Sequence, residues 1–222
     1  MSDMGDVREI PIPIGDDESV TGLLEGGAGD AAGILLAHGA GAGQHHPWMV
    51  FMRGALAAHG FPTMTFDYRY TARGRKAPDR LPTLLDVHEA AADVLSGIVG
   101  EVVLAGKSMG GRVASHLAAD RRGAAPAVVY YGYPLVPMGR SEPRDTSHLA
   151  RIASPQLFFA GTRDRLGPPD LVRRVVAGLP DAQLVVVDDA DHSFAVPKRT
   201  GKTQHEVLTE IAARTVEFLR AR

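Results

Sequence analysis

Six short runs of almost wholly apolar residues recur along the chain, at 33–37, 62–66, 102–105, 127–131, 156–160 and 184–187. Each is followed by a loop and, in most cases, by a segment with helical periodicity. Continuous apolar runs of this length suit strands buried on both faces of a parallel sheet, because half-exposed strands would alternate. Between the runs, Leu84, Val87, Ala91, Val94 and Ile98 step by three and four and lie on one helical face. Leu171, Val172, Val175 and Val176 repeat that pattern after Pro168-Pro169-Asp170 and stop before Gly178 and Pro180. Val207, Leu208, Ile211, Phe218 and Leu219 mark a C-terminal helix, and Met49, Met52 and Leu56 the buried face of one entered through Pro47. Residues 9–14 and 20–25 form a hairpin whose Pro11 and Pro13 confine it to the sheet edge.

This alternation predicts an α/β protein with a mostly parallel, doubly wound sheet and helices on both faces. No repeat, long linker or compositional step divides it, so residues 1–222 are expected to form one domain, with 1–8 flexible. Glycine and proline together make up about 18% of the chain, below the roughly 25–30% of low-complexity disorder. In a doubly wound sheet, sites collect in the loops beyond the carboxyl ends of the strands. Candidate chemistry is therefore sought there.

The run at 102–105 leads into Gly106-Lys107-Ser108-Met109-Gly110-Gly111 and then a helical stretch. A G-x-S-x-G sequence between strand and helix makes a sharp turn that lifts the serine hydroxyl above the sheet, and side chains two residues to either side would collide. Chance supplies roughly 0.1 such pentapeptides in a chain this rich in glycine, so the flanking elements matter more than the pattern. A serine hydroxyl needs a base, and the base an orienting acid. Asp164 follows the run at 156–160 and His192 the run at 184–187, giving the order Ser108, Asp164, His192 at three strand ends. Asp188, Asp189 and Asp191 are alternative acids beside His192. Two oxyanion donors are expected, the N–H of Met109 and the N–H of Ala40 in the loop His38-Gly39-Ala40-Gly41-Ala42-Gly43. His38 is read as fixing that loop.

With these residues the chain resembles the α/β-hydrolase superfamily, and among it the dienelactone hydrolase-like predicted serine hydrolases carrying Gly-Lys-Ser-Met-Gly-Gly-Arg, here residues 106–112. That group includes a subunit of an animal chromatin-modifying complex. Further markers are Phe66-Asp67-Tyr68, Tyr131-Gly132-Tyr133-Pro134, residues 161–164 and residues 191–194. The resemblance implies the α/β-hydrolase fold, a Ser108–Asp164–His192 triad and no metal or organic cofactor. The chain has no cysteine, whereas true dienelactone hydrolases use a cysteine nucleophile, which argues against activity on dienelactone. The expected activity is hydrolysis of a small carboxylic ester or thioester through an acyl-enzyme on Ser108. The alternative is a non-catalytic interaction module.

Only 24 residues separate Gly132 from Pro155, too few for a large lid. Tyr133 is a candidate wall of the acyl pocket. Lys107, Arg73 and Arg75 are candidate contacts to an anionic substrate group, the two arginines belonging to a basic loop at 69–80. Adjacent His45 and His46 lack a ligand partner at metal-binding spacing. A net charge of 24 − 26 = −2 gives no electrostatic reason for a nucleic-acid or anionic-membrane partner. An acidic start and the absence of a ~20-residue apolar stretch point to a cytoplasmic protein.

Overall fold

A computed structural model describes residues 6–27, 31–120 and 125–222. Eight strands form one sheet: β1 (Val7–Gly15), β2 (Glu18–Glu25), β3 (Gly33–Ala37), β4 (Thr63–Phe66), β5 (Val102–Lys107), β6 (Val128–Tyr131), β7 (Gln156–Gly161) and β8 (Ala182–Val187). Their spatial order is β1-β2-β4-β3-β5-β6-β7-β8, antiparallel only where β1 meets β2 and β2 meets β4. The chain is thus an α/β fold with a mostly parallel sheet, as the apolar runs predict. The hairpin starts two residues earlier than its periodicity indicates, because Val7 and Arg8 pair with Glu25 and Leu24. Residues 1–5, the rest of the segment expected to be flexible, lie outside the described residues.

Among the described residues six helices cover the sheet: α1 (Pro47–Ala58), α2 (Arg69–Ala72), α3 (Leu81–Val99), α4 (Met109–Asp120), α5 (Pro169–Ala177) and α6 (Gln204–Arg220). Strand side chains alternate between faces, so β3 sends Leu35 and Ala37 toward α3 and α4, and Ile34 and Leu36 toward α1 and α6. β3 is buried on both faces, which explains why it reads as an unbroken apolar run. A large lid is absent from the described residues, and the stretch from Gly132 to Pro155 holds only a short 3-10 helix, Ser147–Arg151. No described helix is long and apolar enough to cross a membrane.

After β3 the chain crosses to β4 on one side and, through α3, to β5 on the other. Loops leaving β3 and β5 therefore diverge above the middle of the sheet, opening a crevice at this switch point. On the α1 side, Glu25 accepts a 3.0 Å hydrogen bond from Arg53, whose guanidinium also donates to Thr65 at 3.1 Å. Both charged residues are buried, so either alone would be an unpaired interior charge. Glu25→Ala is expected to cost about 3 kcal/mol, read as a lower urea-unfolding midpoint at unchanged slope.

Candidate active site

Four strand ends build the site. β5 ends on Lys107, and Ser108 follows with φ +51°, a left-handed backbone that a serine adopts only under constraint. That conformation swings α4 back onto β5 with almost no clearance. A Cβ at Gly106 would strike the backbone of Gly110 and Gly111, and one at Gly110 would strike the carbonyls of Ala37 and His38. The two glycines therefore let the turn pack on β3 and leave Ser108 at its apex.

His192 reaches Ser108 from the loop after β8. Its Nε2 lies 2.8 Å from Ser108 Oγ and its Nδ1 2.8 Å from Asp164 Oδ2. Asp164, in the loop after β7, is nearly fully buried, and its Oδ1 accepts N–H bonds from Leu166 and Gly167 at 2.8 and 3.0 Å. Burial alone would raise this carboxyl, but the His192 partner and the two backbone donors outweigh it and hold it below the usual carboxylate range. With Nδ1–H donated to the carboxylate, Nε2 is left to accept the serine proton. Two of the alternative acids are occupied elsewhere. Asp189 forms a two-point ion pair with Arg199, at 2.8 and 2.5 Å. Asp191 Oδ1 accepts the N–H groups of Ser193 and Ala195 and so shapes the base-bearing turn. Beneath the imidazole runs Gly132, where a Cβ would come within 3.3 Å of the His192 ring.

Met109 and Ala40 flank Ser108, one at the amino end of α4 and the other in the loop after β3. Neither N–H donates to an acceptor among the described residues. The free donors at the start of α4 also carry its positive dipole end. The loop after β3 is braced from within. His38 is fully buried, its Nδ1–H donates to Gly39 O at 2.8 Å, and its Nε2 accepts the N–H of Tyr68 at 3.3 Å. Burial lowers the His38 pKa, so the ring is neutral near pH 7 and spans β3 and β4 as a brace.

The crevice has a volume of about 530 Å³. Ala40, Lys107, Ser108 and His192 line it, while Pro47, Trp48, Met49, Met138 and Leu166 supply an apolar wall. His46, Ser193 and Gln204 add polar groups. Trp48 both packs and lines: it sits edge-on to Tyr131, with ring centroids 5.4 Å apart, and faces the crevice. His46 caps α1 by accepting the Trp48 N–H at 3.2 Å. No motif flagged Met138 or Leu166, which reach the crevice through loop paths that have no periodicity to read.

Three expected substrate contacts are corrected. Tyr133 does not wall the crevice. It is 2% exposed, its ring packs on Tyr130 and Phe158, and its hydroxyl meets Ser115 Oγ at 3.1 Å. Positive φ at Gly132 turns the chain so that the next side chain enters the α4 face of the sheet. Arg73 and Arg75 are away from the crevice, and α2 occupies the start of their basic loop. Arg73 pairs with Glu18 at 2.8 Å and Arg75 with Asp79 at 2.5 Å. Glu18 lies at the start of β2, so a local charge count missed it. Lys107 remains in the crevice wall, buried, with its Nζ donating to the His192 carbonyl at 2.6 Å. Burial pulls its pKa down to about 8 against the opposing pull of Asp164 and Asp191.

A family model described as an alpha/beta hydrolase domain matches residues 30–220. Among solved structures, a dienelactone hydrolase from Anabaena variabilis is 23% identical, with 98% of each chain covered and a TM-score of 0.77. An esterase from Pyrococcus furiosus is 18% identical over 98% of this chain and 90% of its own, with a TM-score of 0.72. An α/β serine hydrolase without lid from Xanthomonas campestris is 17% identical over 95% and 94%, with a TM-score of 0.69. The glycine packing at the turn gives a direct test. Gly110→Ala is expected to cost about 2 kcal/mol or more, because the new methyl meets backbone carbonyls that cannot rotate away. Thermal unfolding of the variant measures it.

Proposed function

The chain belongs to the alpha/beta hydrolase domain family, and on that premise we propose that it is a serine hydrolase of small carboxylic esters or thioesters. One observation carries the reading: a continuous chain from Ser108 Oγ through His192 to buried Asp164, with both contacts at 2.8 Å and two unpaired N–H groups beside the serine. That chain is the apparatus of acyl transfer, in which nucleophile, base, orienting acid and oxyanion donors each have a place.

In the proposed reaction Ser108 Oγ attacks the carbonyl carbon while His192 Nε2 takes its proton. Charge develops on the carbonyl oxygen, to which the Met109 and Ala40 N–H groups donate hydrogen bonds. The imidazolium is stabilised by Asp164, whose carboxylate stays ionised. His192 then returns the proton to the departing alkoxide or thiolate, and the carbon–oxygen or carbon–sulfur bond breaks to leave an acyl-serine. Water enters from the open side, gives a proton to His192, attacks the acyl carbon and releases the acid, with the proton restored to Ser108. The apolar wall of Trp48, Met49, Met138 and Leu166 suits an uncharged acyl group of modest size.

A fluorophosphonate probe is expected to label Ser108 in the wild-type protein. Ser108→Ala abolishes labelling, and His192→Ala slows it by about 10³-fold or more. Absence of labelling in folded wild-type protein would rule the reading out. Asp164→Asn keeps the contact but favours the wrong tautomer, and is expected to lower kcat about 10⁴-fold on an activated aryl ester.

A further inference from the structure

Lys107 is the last residue of β5 and stands immediately before Ser108. Its side chain runs through the interior between Trp48 and Phe194, with Nζ 6.0 and 5.8 Å from their ring centroids. No carboxylate lies within ion-pair distance of it among the described residues, although a buried ammonium without a partner is costly. Among the described residues its ammonium makes one hydrogen bond, to the backbone carbonyl of His192, 85 residues further along the chain.

That bond joins the loop carrying His192 to the strand that leads into Ser108. Arg163 N–H donates to the Ala190 carbonyl and Asp189 N–H to Thr162 Oγ1, which tie the loop to the acid-bearing loop. Gln204 donates to the Ser193 carbonyl and ties it to α6. None of these contacts fixes the base relative to the nucleophile. Lys107 does, because its backbone continues into Ser108 and its ammonium grips His192.

We infer that Lys107 is a positioning residue for acyl transfer: from the nucleophile's own strand it holds the backbone of His192 and thereby sets the approach of Nε2 to Ser108 Oγ. The inference rests on the serine-hydrolase reading above. A charged donor grips a carbonyl more strongly than a neutral amine, so the hold weakens as Lys107 loses its proton near pH 8. Asp164 and Asp191 face the ammonium and favour its charged form, while burial opposes it. Among the described residues, His192 and His46 line the crevice with it, and His38 follows the end of neighbouring β3. Catalysis therefore falls as pH rises through about 8. Fold stability moves the other way: the unfolded lysine, near 10.5, binds more protons between these two values, so the native state gains over that window. An alkaline loss of activity without a loss of fold is the signature.

The test compares wild type, Lys107→Met and Lys107→Arg on p-nitrophenyl acetate from about pH 6 to about pH 10, with thermal melts alongside. Lys107→Met is expected to lower kcat about 100-fold, with KM within about twofold, and to abolish the alkaline fall. Lys107→Arg, which stays charged, recovers about tenfold of that loss and holds its activity to high pH. Wild-type kcat in Lys107→Met overturns the inference. So does a raised KM at unchanged kcat, which marks a substrate contact, or an alkaline fall retained in both variants. If Lys107→Met does not melt cooperatively, the wild-type profile decides, and level activity from about pH 8 to 10 overturns the inference. Failure of folded wild type to react with the fluorophosphonate is a different result and removes the serine-hydrolase reading itself.

Discussion

The left-handed backbone at Ser108 is the constraint from which the rest of the site follows. A serine at φ +51° is disfavoured by roughly 1–2 kcal/mol, and the chain holds it there by packing α4 against β5 and β3 without side chains between them. Because the turn abuts the carbonyls of Ala37 and His38, the loop after β3 is brought alongside the serine. The proposed nucleophile and both proposed oxyanion donors are thus set by one backbone contact near the middle of the sheet. That region is buried on both faces, so the sheet's full packing energy opposes relaxation of the strain.

The proposed base and acid are positioned by a looser principle. β7 and β8 present them near the opposite edge, in loops held by side chain-to-backbone hydrogen bonds. Asp164 is fixed by the Leu166 and Gly167 N–H groups, and the His192 turn is shaped by Asp191. An acidic residue adjacent to the base therefore works on the backbone, while the carboxylate that meets the ring comes from another strand. Short, directional contacts replace the dense packing found at the serine.

This difference explains what could be read from the chain. The buried strands at 33–37 and 156–160 announced themselves because two-sided burial requires apolar residues at every position. Gly106 and Gly110 were legible because only glycine fits those backbone contacts. Ser108, Asp164 and His192 could be placed on strand ends, since parallel topology brings all such ends to one edge. Side-chain direction beyond the strands was not legible. The positive φ at Gly132 inverts the expected direction of Tyr133, and Arg73 finds its partner in Glu18, 55 residues away. Neither follows from a local pattern, and the same holds for the arrival of Met138 and Leu166 at the crevice.

Met138 is 86% exposed at the rim, on a loop that contributes no regular strand or helix there. The residues that would do chemistry stand on loops fixed by directional hydrogen bonds, while Met138 faces solvent from a loop that is tied back where the Val136 N–H donates to the Leu166 carbonyl at 2.8 Å. On the proposed reading, exchange of Met138 would reshape the crevice rim without contact to Ser108, Asp164 or His192. Leu166 differs, because it lines the same crevice while its N–H holds Asp164, so a change there would reach the proposed triad through the backbone.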